Sequence, residues 1–189
     1  LAALHTDHKS VYSLVQPLHC GAMCEVVAKA MGMSVLARQS LICAALTQNI
    51  GYYNEQQRIN DEPGALNETD RQLIIKHPSV GYGLLVNAGV DNEMWLDAVL
   101  HHHEQLNGDG YPHQLKGVFF PIHREILALA DAFCASTRAM AYSAEIVSKD
   151  AMRELLSSAL QNLPDQSACT ATTKIFIKTI GANPSGTYV

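Results

Sequence analysis

The chain has 189 residues, enough for one domain with a substantial hydrophobic core. Hydrophobic residues make up 48% of it and charged residues 16%, which excludes an intrinsically disordered chain. The net charge of −5 argues against a nucleic acid as partner, although it leaves room for a small phosphate pocket. No apolar run approaches the roughly 20 residues that span a membrane. We therefore expect a cytoplasmic protein without a membrane span.

Apolar residues recur at helical spacing along nearly the whole chain, which predicts an all-α bundle. The first helix is expected over about residues 12–31, where Pro17 either kinks it or marks its true start. A second helix is expected over residues 34–49, with Ser34 as its N-cap. Residues 52–66 are polar and contain a Pro-Gly turn, which predicts an irregular connection.

The second half of the chain continues the helical pattern. A short helix capped by Asn67 or Thr69 is expected to end at His77-Pro78, because proline interrupts helical hydrogen bonding. The helices expected after this break are at residues 79–87, around Trp95, and at residues 122–139, 148–163 and 168–180.

These helices predict one domain over residues 12–182. Residues 1–11 are expected to be a linker or the end of an upstream domain, and residues 183–189 the start of a C-terminal extension. Because the first residue is not methionine, we expect a fragment of a longer protein. The five cysteines include no CxxC pair and indicate reduced, mostly buried thiols; Cys20 and Cys24 share a helix face, which is a weak metal signal.

The most unusual stretch is residues 101–112, HHHEQLNGDGYP. Apolar residues precede it at helical spacing, so at least one of its histidines should point inward. Imidazoles at a helix end that is closed by a glycine-rich turn are typical of ligands rather than of a solvated helix end. Glu104 is expected to anchor the histidine helix by hydrogen bonding. The remaining histidines are predicted to face solvent: His5, His8, His113 and His123.

The sequence HHE, three further residues and GxGYP resembles the signature of the HD-GYP domain. This bacterial family of cyclic di-GMP phosphodiesterases is a branch of the HD metal-dependent phosphohydrolases. The resemblance continues into HQLKG at residues 113–117, similar to a GLKG segment of the family, and covers roughly residues 12–180. It implies a helical bundle like that of the HD superfamily.

The resemblance also implies a set of metal ligands. His77 lies in a segment similar to HPxxG, His102 and His103 match a histidine pair, and Asp131 matches the aspartate of VADxFDA. Fe, Mn or another divalent metal is the implied cofactor, and no metal at all is the alternative. For Asp131, a mid-helix carboxylate in an apolar run, pairing with an arginine or a backbone amide is the alternative.

The chain departs from the family in the segment that resembles AALLHDIGK. Here residues 44–52 read AALTQNIGY, so Gln48 and Asn49 replace the catalytic His-Asp pair and Tyr52 replaces a lysine. An amide carries no charge and cannot offset two adjacent cations as a carboxylate does. Tyr52 cannot supply a permanent positive charge to a phosphate at neutral pH.

Other departures affect the first ligand and substrate binding. The N-terminal ligand of the family falls on either Gln16 or His19, and Cys134 replaces the second aspartate of VADxFDA. Met140 and Ala141 stand where the family has Arg-Pro before a tyrosine. The residues expected to bind a ligand or partner are Gly110, Tyr111, Pro112, Tyr52 and Tyr142.

Three functional hypotheses follow. The first is a degenerate HD-GYP signalling domain without cyclic di-GMP hydrolysis, which binds the dinucleotide or a partner such as a diguanylate cyclase of the GGDEF type. The second is a residual metal-dependent cyclic di-GMP phosphodiesterase with a partial metal site. The third is a helical scaffold whose histidines hold no ligand. The loss of the His-Asp pair favours the first, so we expect a chain that is not an enzyme.

Overall fold

This computed structural model of the protein describes residues 12–61, 66–105, 107–116, 120–141 and 171–180. Within these ranges, the regular structure is helical apart from one isolated bridge between Asn107 and Lys116, which confirms the all-α prediction. The helices are α1 (Tyr12–Ala30), α2 (Val35–Thr47), α3 (Tyr53–Asp61), α4 (Glu68–Asn87), α5 (Glu93–His101), α6 (Ile122–Ala141) and α7 (Ala171–Ile180), with a 3-10 turn (Ile50–Tyr52) between α2 and α3.

Local sequence signals fix several helix ends. Gly32 takes a left-handed φ of 73° just after α1, a conformation that costs other residues energy. Ser34 caps α2, because its hydroxyl accepts a hydrogen bond from the Ala37 amide at 3.2 Å. Asn67 caps α4 in the same way, accepting from the Asp70 amide at 2.8 Å. Pro17 lies within α1 and does not mark its start.

The core lies around α1, which packs against α2, α6 and α7. α5 packs against α2 and α4, so its C-terminal end, which carries the histidines, faces the neighbouring α4. The fully buried core side chains come mainly from α1, α2, α5, α6 and α7, and include Met23, Leu41, Val99, Leu127, Phe133 and Phe176.

The prediction of an irregular connection at residues 52–66 is wrong for its first part, which forms α3. Gln56 and Ile59 are buried three residues apart, so this mainly polar helix has one inward face. Tertiary packing therefore overrode a local sequence that showed little apolar periodicity.

The predicted break at His77-Pro78 is also wrong, because α4 runs without interruption through Pro78. Proline has no amide hydrogen, so the carbonyl of Ile74 loses its usual helical partner four residues on. The His77 side chain supplies the missing donor: its Nδ1 lies 2.6 Å from that carbonyl oxygen. Pro78 itself is buried. The histidine before the proline thus compensates for the hydrogen bond that the proline removes.

Several predictions lie outside the described residues: the helix at 148–163, Tyr142, and the proposed flanking segments at 1–11 and 183–189. None of the described helices is both long and apolar enough to cross a membrane.

Candidate metal centre

The structure brings together three of the four predicted metal ligands. Nitrogen atoms of His77, His102 and His103 all lie within 4.8 Å of one another. His77 comes from the middle of α4, whereas the other two follow at the end of α5. His77 and His102 are buried, and His103 is partly buried. His77 and His102 are 25 residues apart in the sequence, and the packing of α4 against α5 brings them together.

Backbone carbonyls set the orientation of two of these rings. His77 Nδ1 donates to the Ile74 carbonyl at 2.6 Å, and His102 Nδ1 donates to the Val99 carbonyl at 2.8 Å. In the neutral rings, each Nε2 atom is then unprotonated, and the two Nε2 atoms lie 3.1 Å apart. Two lone pairs at this distance repel each other unless a cation lies between them. A ligating histidine anchored through its other nitrogen is the usual arrangement in metal sites.

A proton is a poor candidate for that cation. Burial lowers the pKa of His77 to about 4, and burial together with the neighbouring His77 lowers the pKa of His102 to about 3. The pKa of His103 is also well below its usual value, first because of burial and then because of the other two rings. The rings are therefore neutral at pH 7. Three neutral imidazoles fit a divalent cation such as Fe, Mn or Zn.

The depressed pKa values predict that acid destabilises the metal-free fold. Both buried rings titrate near pH 6.5 when unfolded but remain neutral to about pH 4 and 3 in the folded chain. Stability should therefore be fully present above pH 6.5 and fall as the pH decreases towards 4, by about 1.4 kcal/mol per pH unit for each histidine. Urea unfolding between pH 8 and 4, on protein that a chelator has freed of metal, measures this slope. A flat profile would contradict the assignment of neutral buried rings.

Two tyrosines flank the histidines. The ring of Tyr52 lies 4.5 Å from that of His77, and Tyr111 stacks on His103 with a centroid distance of 4.6 Å and an interplanar angle of 26°. Burial, followed by the negative charge of Asp131, raises the pKa of both phenols, so they stay neutral hydrogen-bond donors. Two of the three predicted ligand-binding tyrosines thus border the same site, and the third, Tyr142, lies outside the described residues.

The loop that carries Tyr111 is held against the end of α5. The carboxylate of Glu104 accepts hydrogen bonds from the backbone amides of His113 at 2.6 Å and Leu115 at 2.9 Å, so it anchors the loop rather than the helix. Gly110 is packed so tightly that an added Cβ would lie 2.3 Å from the Gln105 nitrogen. Of the predicted GYP contact residues, Gly110 is therefore buried, whereas Tyr111 and Pro112 are partly exposed.

Asp131, the fourth predicted ligand, lies outside the three-histidine group. Its Oδ1 accepts hydrogen bonds from Gln16 Nε2 at 2.5 Å and from Gln48 Nε2 at 3.3 Å. Asn49 Nδ2 in turn donates to Gln16 Oε1 at 3.1 Å. We call these four side chains the amide network. It contains one carboxylate, and the partners of that carboxylate are side-chain amides, unlike the arginine or backbone amide considered from sequence.

Three of the four side chains of the amide network are buried, namely Gln16, Gln48 and Asn49, whereas Asp131 is partly buried. Gln48 is fully buried, and its Oε1 has no hydrogen-bond partner within the described residues. Burial raises the pKa of Asp131 to about 6, against the opposing effect of the Gln16 hydrogen bond. Of the two candidates for the N-terminal ligand, Gln16 lies in the network, while the ring of His19 packs edge-on against Phe133 at 6.3 Å.

Three cysteines lie beside the network. Cys20, Cys24 and Cys134 are buried and form no disulfide, in agreement with the predicted reduced thiols, whereas Cys169 is outside the described residues. Cys20 Sγ accepts a hydrogen bond from Gln16 at 3.3 Å and lies 3.5 Å from Cys134 Sγ. Burial raises the pKa of Cys24 and Cys134 well above the usual value. These cysteines form no metal-binding group with three ligands in the described part of the chain.

Sequence reasoning missed a second cluster, centred on Asp97. Its carboxylate accepts from His123 Nε2 at 2.6 Å, from Arg124 Nε at 2.7 Å and from His101 Nδ1 at 3.1 Å. Although burial opposes ionisation, the hydrogen bonds of Arg124, His101 and His123 hold the pKa of Asp97 well below its usual range. The prediction that His123 faces solvent is wrong, because it joins α6 to α5 here. The four-residue spacing of Asp97 and His101 was the available signal.

Comparisons with known proteins agree with this architecture. The family model described as HD domain matches residues 3–167. A 3'3'-cGAMP-specific phosphodiesterase 1 of Vibrio cholerae is 31% identical over 143 residues, which is 75% of this chain and 33% of the relative. A cyclic di-GMP phosphodiesterase of Thermotoga maritima is 30% identical over 132 residues, or 69% of this chain and 36% of the relative.

A solved structure gives the same result for the fold. An HDG"Y"P protein from Bdellovibrio bacteriovorus superposes with a TM-score of 0.66 and 17% identity, over 88% of this chain and 51% of that one. The chain spans about a third of the length of the curated relatives named above. The helical fold, the match over most of the chain and the names of these relatives agree: the chain belongs to the HD domain family, with its resemblance to the HD-GYP proteins confirmed.

Proposed function

We propose that this chain is a degenerate HD-GYP domain that acts in bacterial cyclic dinucleotide signalling by binding, without hydrolysing the dinucleotide. The observation that carries the proposal is the amide network. Gln48 and Asn49 stand at the positions of the family's His-Asp pair, and both are buried with their amide groups directed at Asp131 and Gln16. Two-metal hydrolysis requires cations about 4 Å apart, which an anionic bridge stabilises.

The network supplies no such bridge at Asn49. Its Nδ2 is a hydrogen-bond donor to Gln16, so the group facing Gln16 carries positive partial charge where a bridging carboxylate would carry negative charge. Asp131 accepts hydrogen bonds from two amide donors and does not belong to the three-histidine group, whose ligand atoms all lie within 4.8 Å of one another. The chain therefore retains donors for one cation and lacks the charge that offsets a second.

The surface next to the histidines supports a binding role. Tyr111 and Pro112 are partly exposed, and Tyr111 rests on the ring of His103. A protein or dinucleotide that contacts this loop would thus also sense the histidine group beneath it. We propose a diguanylate cyclase of the GGDEF type, or cyclic di-GMP itself, as the binding partner in the cytoplasm.

The test separates binding from hydrolysis. The chain, purified without oxygen or chelator and loaded with Fe²⁺ or Mn²⁺, is incubated with cyclic di-GMP, and the products are resolved by chromatography. We expect no linear dinucleotide or GMP above background, while calorimetry with cyclic di-GMP or a purified GGDEF domain gives binding that Tyr111→Ala weakens. Hydrolysis that His102→Ala abolishes would refute the proposal.

One observation favours a second candidate, a residual phosphodiesterase with a single metal. The Nε2 atoms of His77 and His102 are 3.1 Å apart and both are fixed as acceptors by their Nδ1 hydrogen bonds. A cation bound there would polarise a phosphoryl oxygen. The Oε1 atom of Gln48, which has no hydrogen-bond partner among the described residues, is a neutral oxygen that could serve as a further metal ligand.

Metal content and hydrolysis, measured on the same preparation, together distinguish the two candidates. Plasma mass spectrometry on the same anaerobic preparation gives metal ions per chain. About one ion per chain, together with slow hydrolysis lost in His77→Ala, would support the residual enzyme. Metal binding without hydrolysis is the result expected from the degenerate domain.

A further inference from the structure

The cluster around Asp97 contains a pair of imidazoles that the proposed function does not use. His101 Nε2 lies 3.3 Å from His113 Nδ1, and the ring centroids are 5.3 Å apart. His101 ends α5 and His113 belongs to the loop that follows Pro112. We propose that this pair is a second, auxiliary site for a borderline transition metal such as Zn²⁺, which ties the end of α5 to the GYP loop.

The chemistry of His101 leaves its outer nitrogen available. Its Nδ1 donates to Asp97, to the carbonyl oxygen at 3.0 Å and to Oδ1 at 3.1 Å. In the neutral tautomer that donates from Nδ1, the lone pair lies on Nε2, which faces His113 Nδ1 at hydrogen-bonding distance. A carboxylate behind a ligating histidine orients the ring and raises its basicity. Asp97 is held by His123 and Arg124 as well, so this support is rigid.

The position of His113 is fixed from its main chain. Its amide donates to Glu104 Oε1 at 2.6 Å, and Glu104 itself is buried. The side chain of His113 is exposed, which leaves coordination positions open to water or to a donor from a partner. The two ligands thus come from two segments that Glu104 already holds together.

The distance between the nitrogens suits a metal. Zn–N bonds of about 2.0–2.1 Å at a tetrahedral angle place two nitrogens about 3.3–3.4 Å apart. The observed separation is 3.3 Å. Among the described residues, this pair has no third histidine, cysteine or carboxylate close enough to form a three-ligand group, so the site is a two-ligand chelate. It is separate from the three-histidine group, since His101 and His102 point to different sides of α5.

Such a site would affect the rigidity of the loop that carries Tyr111 and would take no part in hydrolysis. A cation held by His101 and His113 joins α5 to the segment that follows the GYP residues, whereas Tyr111 already donates its amide to the His103 carbonyl at 3.1 Å. The expected consequence is a stiffer loop at the surface proposed for partner binding. This consequence rests on the proposed function, but the metal site itself does not.

Zinc titration of three chains tests the site: wild type, His113→Ala and the matched control Gln114→Ala, an exposed neighbour. Calorimetry should show one fewer Zn²⁺ bound per chain in His113→Ala than in the other two, and His77→Gln should keep the event that depends on His113. Hydrogen exchange should show that Zn²⁺ protects the Tyr111 amide less in His113→Ala. Equal zinc stoichiometry in His113→Ala and Gln114→Ala would overturn the site and leave the hydrolysis test unaffected.

Discussion

The double variant Gln48→His/Asn49→Asp is expected to bind about one more Mn²⁺ per chain than the wild type. In the wild type, the amide of Asn49 donates to Gln16 and that of Gln48 donates to Asp131. The variant replaces these donors with an imidazole and a carboxylate beside a second carboxylate. Two anions and an added nitrogen donor supply the charge that a second cation needs. Plasma mass spectrometry after anaerobic loading measures the difference.

The single variant Asn49→Asp is expected to be less stable than the wild type when no metal is present. A buried carboxylate would face the Gln16 oxygen and lie in the same network as Asp131, which leaves it without a donor. We expect a loss of about 2–4 kcal/mol in the free energy of unfolding of chelated protein, and recovery when Mn²⁺ is added. Asn49→Leu serves as the control, because it removes the amide without adding charge and keeps the three histidines, so its stability should respond to Mn²⁺ no more than that of the wild type. An Mn²⁺ response of the same size in Asn49→Leu would contradict this account.

Gly51→Ala is expected to destabilise the chain and to move His77 away from its neighbours. A Cβ on Gly51 would lie 2.2 Å from the carbonyl oxygen of His77 and 2.8 Å from the nitrogen of Gly81, both backbone atoms of α4. Backbone cannot yield as a flexible side chain does, so the 3-10 turn and α4 must separate. We expect a cost of about 3 kcal/mol or more, measured by urea unfolding, together with weaker metal binding.

Gly83 provides the matched control on the same helix. An added Cβ there meets no atom within 4 Å. Gly83→Ala should therefore stabilise α4 by about 0.5–1 kcal/mol through helix propensity alone, without an effect on metal binding. If Gly51→Ala were as well tolerated as Gly83→Ala, the close approach of the turn to α4 would not hold in solution.

Sequence and structure agree where the signal is local or periodic. The apolar repeat predicted most of the helices, although it missed α3 and divided α4 in two. The cap of α2 at Ser34 was visible in its immediate context, and Asn67 was one of two candidates for the cap of α4. The three histidines were recognised from the resemblance, and the structure brings them within ligand distance of one another. The sequence revealed only part of the amide network. The sequence showed that Gln48 and Asn49 had replaced a charged pair, but not that Gln16 and Asp131 would become their partners.

What the sequence concealed depends on contacts between distant segments. α3 forms although its sequence is polar, because one face packs against the bundle. Asp97 gathers His123 and Arg124 from another helix, and no local pattern reports a contact across 26 or 27 residues. A solvent-facing role for His123 was the reasonable default from composition and was wrong for that reason.

His77 and Pro78 act together within α4, because the proline frees the carbonyl to which the histidine ring donates. In any helix, a proline leaves one carbonyl unbonded a turn earlier, and the residue just before the proline has that carbonyl three positions behind it. A histidine at that position can donate Nδ1–H to it, as His77 does to Ile74. The proline thereby selects the tautomer of the ring and directs Nε2 outward. A His-Pro pair within an otherwise helical pattern is thus a signal for an oriented imidazole that can be searched for in sequence, rather than a mark of a helix end.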